Sequence, residues 1–318
     1  MTDPSGWSSP DSGDEPRRAQ HPQHPQYPQY PGAGRGSQGQ PGVIPLRPLA
    51  LGEILDGAMS TMRKYAGIVF GSSAVVALIS AVLFLLADRL LLGSVEPVLL
   101  DPNATQEEQL DAVWEALRQT LPVNAVILIV TMVTQTFLTG LLMVVVGKAV
   151  LGQPITFAEA WEELRPRVLP LLGLTLLVAL IVAVGTVLFL VPGIAAYVFL
   201  SLATPALVLE RGKVGKSLGR STALVRGSWW RVFGILLVAL IITFVISLII
   251  QIPFGFAGGA DIGQGASTGS LLIGELGRAV AQTITVPFAA GVTALLYIDQ
   301  RMRREGLDRE LARAAGGE

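Results

Sequence analysis

The stretch VLPLLGLTLLVALIVAVGTVLFLVPGIAAYVFLSLATPALVL, residues 168–209, contains 42 residues without a charged side chain. One continuous α-helix of that length would measure about 63 Å, roughly twice the 30 Å hydrocarbon core of a bilayer. Val191, Pro192 and Gly193 interrupt the stretch near its middle, and proline breaks the hydrogen bonding of a helix interior. We therefore interpret residues 168–209 as two membrane spans.

Four other gaps between charged residues are long enough to cross a bilayer, which takes about 20 apolar residues. They are residues 65–87, 119–147, 232–260 and 279–298. Apolar side chains make up 51% of the chain and charged ones 15%, against about 25% charged in ordinary soluble domains. The sequence therefore predicts an all-α polytopic bundle with six spans, at about 66–87, 122–146, 169–190, 193–209, 232–252 and 278–298.

The distribution of charge predicts how the chain is threaded. Lys and Arg number 23 and Asp and Glu 24, so no basic excess suggests a nucleic acid partner. With six spans, 20 of the 23 basic residues fall on one side, whereas a single crossing by residues 168–209 would divide them 10 to 13. Because cytoplasmic segments collect Lys and Arg, we expect six spans with both termini cytoplasmic.

The two ends of the chain have a different composition from the middle. Residues 1–44 hold eight prolines, seven glycines and six glutamines, which predicts a disordered cytoplasmic tail. A three-residue repeat between His21 and Pro31 suits polyproline II, so the tail is either a docking strip for a protein partner or simply solvated. A membrane domain is expected at 45–303 and a short cytoplasmic tail at 304–318.

Amphipathic segments precede alternate spans. Leu51, Ile54, Ala58 and Met62 form one stripe of a helix, which predicts a helix lying on the membrane. A second such helix is expected after the capping residues Thr156 and Glu159, and a third at 214–225. The chain can thus be divided into three units, 49–147, 156–209 and 213–298, each a short interfacial helix followed by two spans.

Segment 88–122 joins the first two spans on the other side of the membrane. Thr105 and Glu108 have the spacing of a capping box. An apolar stripe follows them, and we expect it to pack against the outer ends of the bundle. Its members are Leu110, Val113, Trp114, Leu117 and Leu121.

The loop 210–231 carries the candidate lipid-binding residues. It contains six bases and one acid, with a Trp pair near its end; basic residues beside a span attract anionic headgroups, and tryptophan favours the membrane interface. The alternative is that these charges only direct topology and anchor the loop. The candidate headgroup contacts are Lys213, Lys216, Arg220, Arg226, Arg231, Trp229 and Trp230.

Residues that support catalysis are sparse. The chain has no cysteine, and its histidines are confined to the tail, where no rigid scaffold could orient a base or a metal. Apart from Arg278, the first residue of the last predicted span, the predicted spans contain no Asp, Glu, Lys, Arg or His, which argues against proton-coupled transport. We predict no cofactor or metal, and expect Gln135 and Gln282 to join helices by hydrogen bonds.

The sequence leaves three classes of function open. The first is a non-enzymatic membrane scaffold or accessory subunit that contacts anionic lipid. The second is a channel or permease for an uncharged or amphiphilic solute, which a water-filled cavity lined by Gln135, Gln251 and Gln282 would favour. The third is a lipid-modifying enzyme, for which the nominated set is Glu53, Asp56, Glu210 and Arg220.

Two stretches resemble a known family. The segment 47–57, RPLALGEILDG, and the segments 217–221, 224–227 and 229–234, which read SLGRS, LVRG and WWRVFG, resemble actinobacterial membrane proteins labelled glycerophosphoryl diester phosphodiesterase membrane domain. The resemblance covers about residues 43–303 and implies a bacterial inner-membrane protein of undefined biochemical role. It does not imply phosphodiesterase activity, because the acids and histidines of the catalytic domain have no counterpart here.

Overall fold

The computed structural model describes residues 43–45, 47–87, 89–90, 105–258 and 268–306. The chain divides into two compact units, Met1–Gln38 and Gly39–Glu318. The first unit, which holds most of the predicted tail, and residues 307–318 lie outside the described residues. Ile44, the last residue assigned to the tail, is 1% exposed, so the packed part of the second unit begins before residue 45.

Ten α-helices make up the described part of the second unit. They are α1 Leu51–Lys64, α2 Ala66–Ala87, α3 Gln106–Val150, α4 Phe157–Leu164, α5 Val168–Leu188, α6 Leu190–Leu200, α7 Ala203–Glu210, α8 Val214–Val225, α9 Trp229–Ala257 and α10 Thr268–Glu305. No strand occurs among these residues. Six segments are long and apolar enough to cross a membrane, with α4–α5 and α6–α7 counting as one each. The all-α, six-span fold class is confirmed.

The break between α5 and α6 falls at Phe189, whose backbone is extended, three residues before Pro192. A proline ring clashes with the carbonyl of the fourth residue before it, here Leu188, so α5 ends at that residue. Gly193 then packs against the backbone of Gly185 and Thr186. The two helices form a tight hairpin because residue 193 has no side chain.

The segment after residue 104 differs from the prediction that its helix packs against the outer ends of the bundle. Thr105 and Glu108 form the predicted capping box, but the helix that they open continues through Pro122 into the second span as one helix of 45 residues. At 1.5 Å per residue it is about 68 Å long, so its first turns extend beyond the bundle. The apolar stripe is exposed, each member by at least 40%, so its predicted packing against the bundle was wrong.

The three short helices α1, α4 and α8 form at the predicted places, each ahead of a pair of spans. Thr156 and Glu159 cap α4 as expected. The apolar stripe of α1, however, packs on protein: Ala58 lies against Gly291 of α10, and Gly57 lies against Ile44 and Leu295. The prediction that this stripe faces a membrane is corrected, because α10 covers it.

The core lies at one end of the bundle. The second half of α3, the second half of α10, α7 and the inner face of α1 supply most of the buried apolar side chains. In the most apolar windows of α4–α5 and of α9, only 11% of the residues are buried. We call the well-packed end, formed by residues 47–50, 148–167, 210–231 and 299–305, the polar end.

Candidate functional site

Asp299 is the most buried acid of the polar end, with a fully buried side chain. The Leu49 backbone N–H donates to its Oδ1 over 2.8 Å, Arg231 Nη2 donates to its Oδ2 over 2.8 Å, and Arg303 Nε donates to both oxygens over 2.9 and 3.1 Å. Both arginines also donate to the Leu49 carbonyl. The carboxylate therefore ties the segment before α1 to α9 and α10.

A second charged cluster centres on Glu210 at the end of α7. Arg220 Nε donates to its Oε1 over 2.8 Å, and the Tyr297 hydroxyl donates to the same oxygen. Glu305 accepts from Arg220 and, over 3.1 Å, from Arg301. Burial lowers the pKa of Arg220, but hydrogen bonds and the charges of Glu305 and Glu210 outweigh burial and hold that pKa above its usual range. This cluster joins α7, α8 and α10.

A cleft of about 250 Å³ lies beside this cluster, between α3, α7 and α10. Lys148, Glu163, Tyr297 and Arg301 contribute its polar walls. Glu163 accepts from Arg211 over 3.2 Å and lies 4.0 Å from Lys148 Nζ. Most of the charges around the cleft are therefore paired within the protein.

The predicted headgroup contacts divide into two groups. Arg220 and Arg231 are bound to internal carboxylates. Trp229 stacks on Phe233 with ring centroids 5.1 Å apart. Lys213, Lys216, Arg226 and Trp230 are exposed.

The four residues nominated for a lipid-modifying enzyme do not lie together in one site. Glu53 accepts from the Ala50 backbone N–H over 2.7 Å and pairs with Arg47, so it caps α1. Glu210 and Arg220 bind each other in the separate cluster described above. Asp56 is exposed. Among the described residues, no group of three His, Cys, Asp or Glu side chains could hold a metal ion.

A small polar cavity lies within the bundle, away from the polar end. Gln135 Nε2 donates to Gln282 Oε1 over 3.3 Å, which confirms the predicted hydrogen bond between helices. The cavity measures about 40 Å³, enough for a few water molecules. Its other polar walls are Ser80, Thr131, Thr134, Glu275 and Arg278. Gln251, expected in the same place, is exposed on α9.

Sequence reasoning missed the ionisable residues at both ends of α10. Glu275 and Arg278 lie 3.4 Å apart and line the cavity, yet the predicted span began only at 278. Asp299 was counted with the bases that follow it. Two signals were present: Glu275 and Arg278 have i, i+3 spacing, and Asp299 follows 20 uncharged residues and precedes Arg303 by four.

Comparison with protein families finds a match over residues 113–254 to a family described as uncharacterised protein family UPF0259. Comparison with curated proteins and with solved structures finds no match. The matched region runs from α3 into α9 and includes the basic loop 210–231. It leaves out α1, α2 and α10, and therefore Asp299 and its Leu49 partner.

Proposed function

We propose that this chain is a non-enzymatic scaffold or accessory subunit of the bacterial cytoplasmic membrane that contacts anionic lipid through α8 and the residues around it. Both termini are cytoplasmic in this proposal, with the polar end at the cytoplasmic face. The excess of Lys and Arg in the segments of the polar end supports this orientation.

The observation that carries the lipid contact is the division among the basic residues of loop 210–231. Arg220 and Arg231 bind carboxylates inside the protein and hold α8 and α9 in place. Lys213 and Lys216 at the start of α8 remain exposed, as do Arg226 and Trp230 where α9 begins. Basic residues beside a span attract anionic headgroups by about 1 kcal/mol each, and exposed tryptophan favours the interface.

The resemblance to membrane domains of the glycerophosphoryl diester phosphodiesterase label supports the bacterial location. The residues that carry this resemblance have roles in the packing and backbone geometry of the fold. Ser217 and Ser221 are buried, Ser221 Oγ donates to the Phe199 carbonyl, and Gly227 has a positive φ of 84°. The motif is therefore explained by packing of α8, and phosphodiesterase activity forms no part of the proposal.

The test is lipid retention measured by native mass spectrometry on the full chain in mild detergent. Lys213→Gln, Lys216→Gln and Arg226→Gln together should lower retention of phosphatidylglycerol and leave phosphatidylcholine unchanged. Arg118→Gln, which removes an exposed base far from the polar end, is the control. Equal phosphatidylglycerol retention by the triple variant and the control would refute the α8 contact.

A channel or permease for an uncharged solute is the second candidate, and the cavity at Gln135 and Gln282 favours it. Toward the polar end, the buried side chains that follow are Leu138 and Leu142 on α3, and Thr285 and then the apolar Phe288 and Leu295 on α10. A solute path would therefore require α3 and α10 to separate. Glycerol-driven swelling of proteoliposomes that Gln135→Leu abolishes and Gln251→Leu leaves unchanged would support this candidate over the scaffold.

A further inference from the structure

An apolar groove runs along the bundle between α2 and α3. Its volume is about 680 Å³ and its walls are almost entirely apolar. Gly67, Gly71, Val75 and Ile79 line it from α2. Four-residue spacing places these residues on one helix face, and the two glycines leave that face open, because a Cβ added at either would meet nothing within 4 Å.

The length of the groove matches one leaflet of a bilayer. Twelve residues separate Gly67 from Ile79, which corresponds to about 18 Å along a helix. One leaflet contributes about 15 Å of the hydrocarbon core. A single acyl chain lying along α2 would therefore fill the groove from the interface toward the bilayer centre.

Aromatic side chains mark the end of the groove nearest the polar end. Phe157, the first residue of α4, and Phe137 of α3 line it there, and Trp161 packs edge-on against Phe137 with ring centroids 5.4 Å apart. The Tyr65 hydroxyl donates to the Gln153 carbonyl over 2.8 Å and so joins the α1–α2 junction to the α3–α4 connection. Aromatic residues concentrate at headgroup depth, so this end is suited to a lipid headgroup.

Two bases precede the groove directly. Arg63 and Lys64 form the last turn of α1, four and three residues before Gly67, and both are exposed. The Lys64 ammonium lies 5.8 Å from the centre of the Tyr65 ring, at the same junction. Positive charge at the mouth of an apolar groove complements an anionic phosphate attached to an acyl chain.

We propose that the groove between α2 and α3 binds one acyl chain of an anionic phospholipid, whose phosphate lies against Arg63 and Lys64. This site rests on the proposed membrane setting but uses none of the α8 residues. It would hold a specific lipid between α2 and α3, next to the start of α4, in addition to the lipid contacts of α8.

The experiment uses the full chain reconstituted with phosphatidylglycerol that carries a photoreactive diazirine in one acyl chain. Cross-links mapped by mass spectrometry should concentrate on residues 67–79 and 133–137. Gly71→Leu fills the groove and should lower their yield at least about fivefold, whereas Gly173→Leu, at another open and exposed span glycine, should leave it unchanged. Gly67→Leu fills the groove at its mouth and provides a second variant.

Headgroup recognition is tested in the same assay. Arg63→Gln with Lys64→Gln should reduce the preference for phosphatidylglycerol over phosphatidylcholine in the groove about fivefold or more. Lys213→Gln with Lys216→Gln should leave that preference intact, which separates this site from the α8 contact. Cross-links spread evenly over α5 and α9, unchanged yield in both groove-filling variants, or an unchanged preference in the Arg63 and Lys64 variant would overturn the proposal.

Discussion

Asp299 shows how one side chain organises the polar end. Its buried carboxylate receives a backbone N–H from Leu49 and the guanidinium groups of Arg231 and Arg303, which are about one third exposed. Removing one partner of a buried ion pair leaves the other charge unmatched, which typically costs about 3–5 kcal/mol. Partial exposure of both arginines reduces this penalty, because water screens their charge.

We predict that Asp299→Asn lowers the free energy of unfolding by about 2 kcal/mol, because the amide keeps the size of the side chain but loses its charge. The measurement is chemical or thermal unfolding of the full chain in mild detergent. Asp56→Asn, at an exposed carboxylate of α1, is the control and should change stability by less than about 0.5 kcal/mol. Equal stability of the two variants would contradict the assigned role.

Arg220 and Lys216 both lie in α8, but we expect Arg220 to stabilise the fold and Lys216 to contact lipid. Arg220→Gln should lower stability by about 1 kcal/mol, because it leaves Glu210 and Glu305 short of a partner in a partly exposed site. Lys216→Gln should leave the unfolding midpoint unchanged. If instead both variants unfold at the wild-type midpoint, the Glu210 cluster does not stabilise α8.

At the scale of elements, the α5–α6 hairpin depends on the contact at Gly193. A Cβ built there would lie 2.8 Å from the backbone of Thr186, so Gly193→Ala forces the two helices apart. We expect a loss of about 1–3 kcal/mol, measured as a lower thermal midpoint. Gly173→Ala on the same hairpin has open space around it and should be neutral; similar midpoints for the two variants would refute the close contact.

Several elements could be predicted from the sequence because their signals are local. The predicted span 66–87 and α2 cover the same residues, and the capping residues Thr105 and Thr156 open helices where expected. The continuity of α3 through Pro122 could not be predicted, because a membrane helix can contain an internal proline without ending there. The stripe of Leu110 and Trp114 indicated a helix, but a stripe does not identify its partner.

The candidate sites were less predictable than the helices, because each depends on residues far apart in the chain. Asp299 binds Leu49 and Arg231, which lie 250 and 68 positions away. Charge counting assigned Arg231 to topology and lipid contact, whereas its guanidinium binds this buried acid. The groove between α2 and α3 likewise requires the relative position of two helices, which periodicity does not supply.

At the scale of the whole molecule, packing and charge are concentrated at the same end. The two charged clusters and most of the buried apolar side chains lie at the polar end, whereas α9 and the α5–α6 hairpin expose most of their apolar surface. Lipid can cover such surface without cost, because acyl chains are as apolar as leucine. The proposed function requires that the polar end faces the cytoplasm.

That orientation can be measured directly, because the chain contains no cysteine. Single cysteines at Gly215, in α8, and at Glu107, at the start of α3, are treated with a membrane-impermeant maleimide on intact spheroplasts. With the polar end at the cytoplasmic face, we expect labelling at 107 only, with labelling at 215 appearing after the membrane is permeabilised. Labelling at 215 on intact spheroplasts, or equal labelling at both positions, would contradict it.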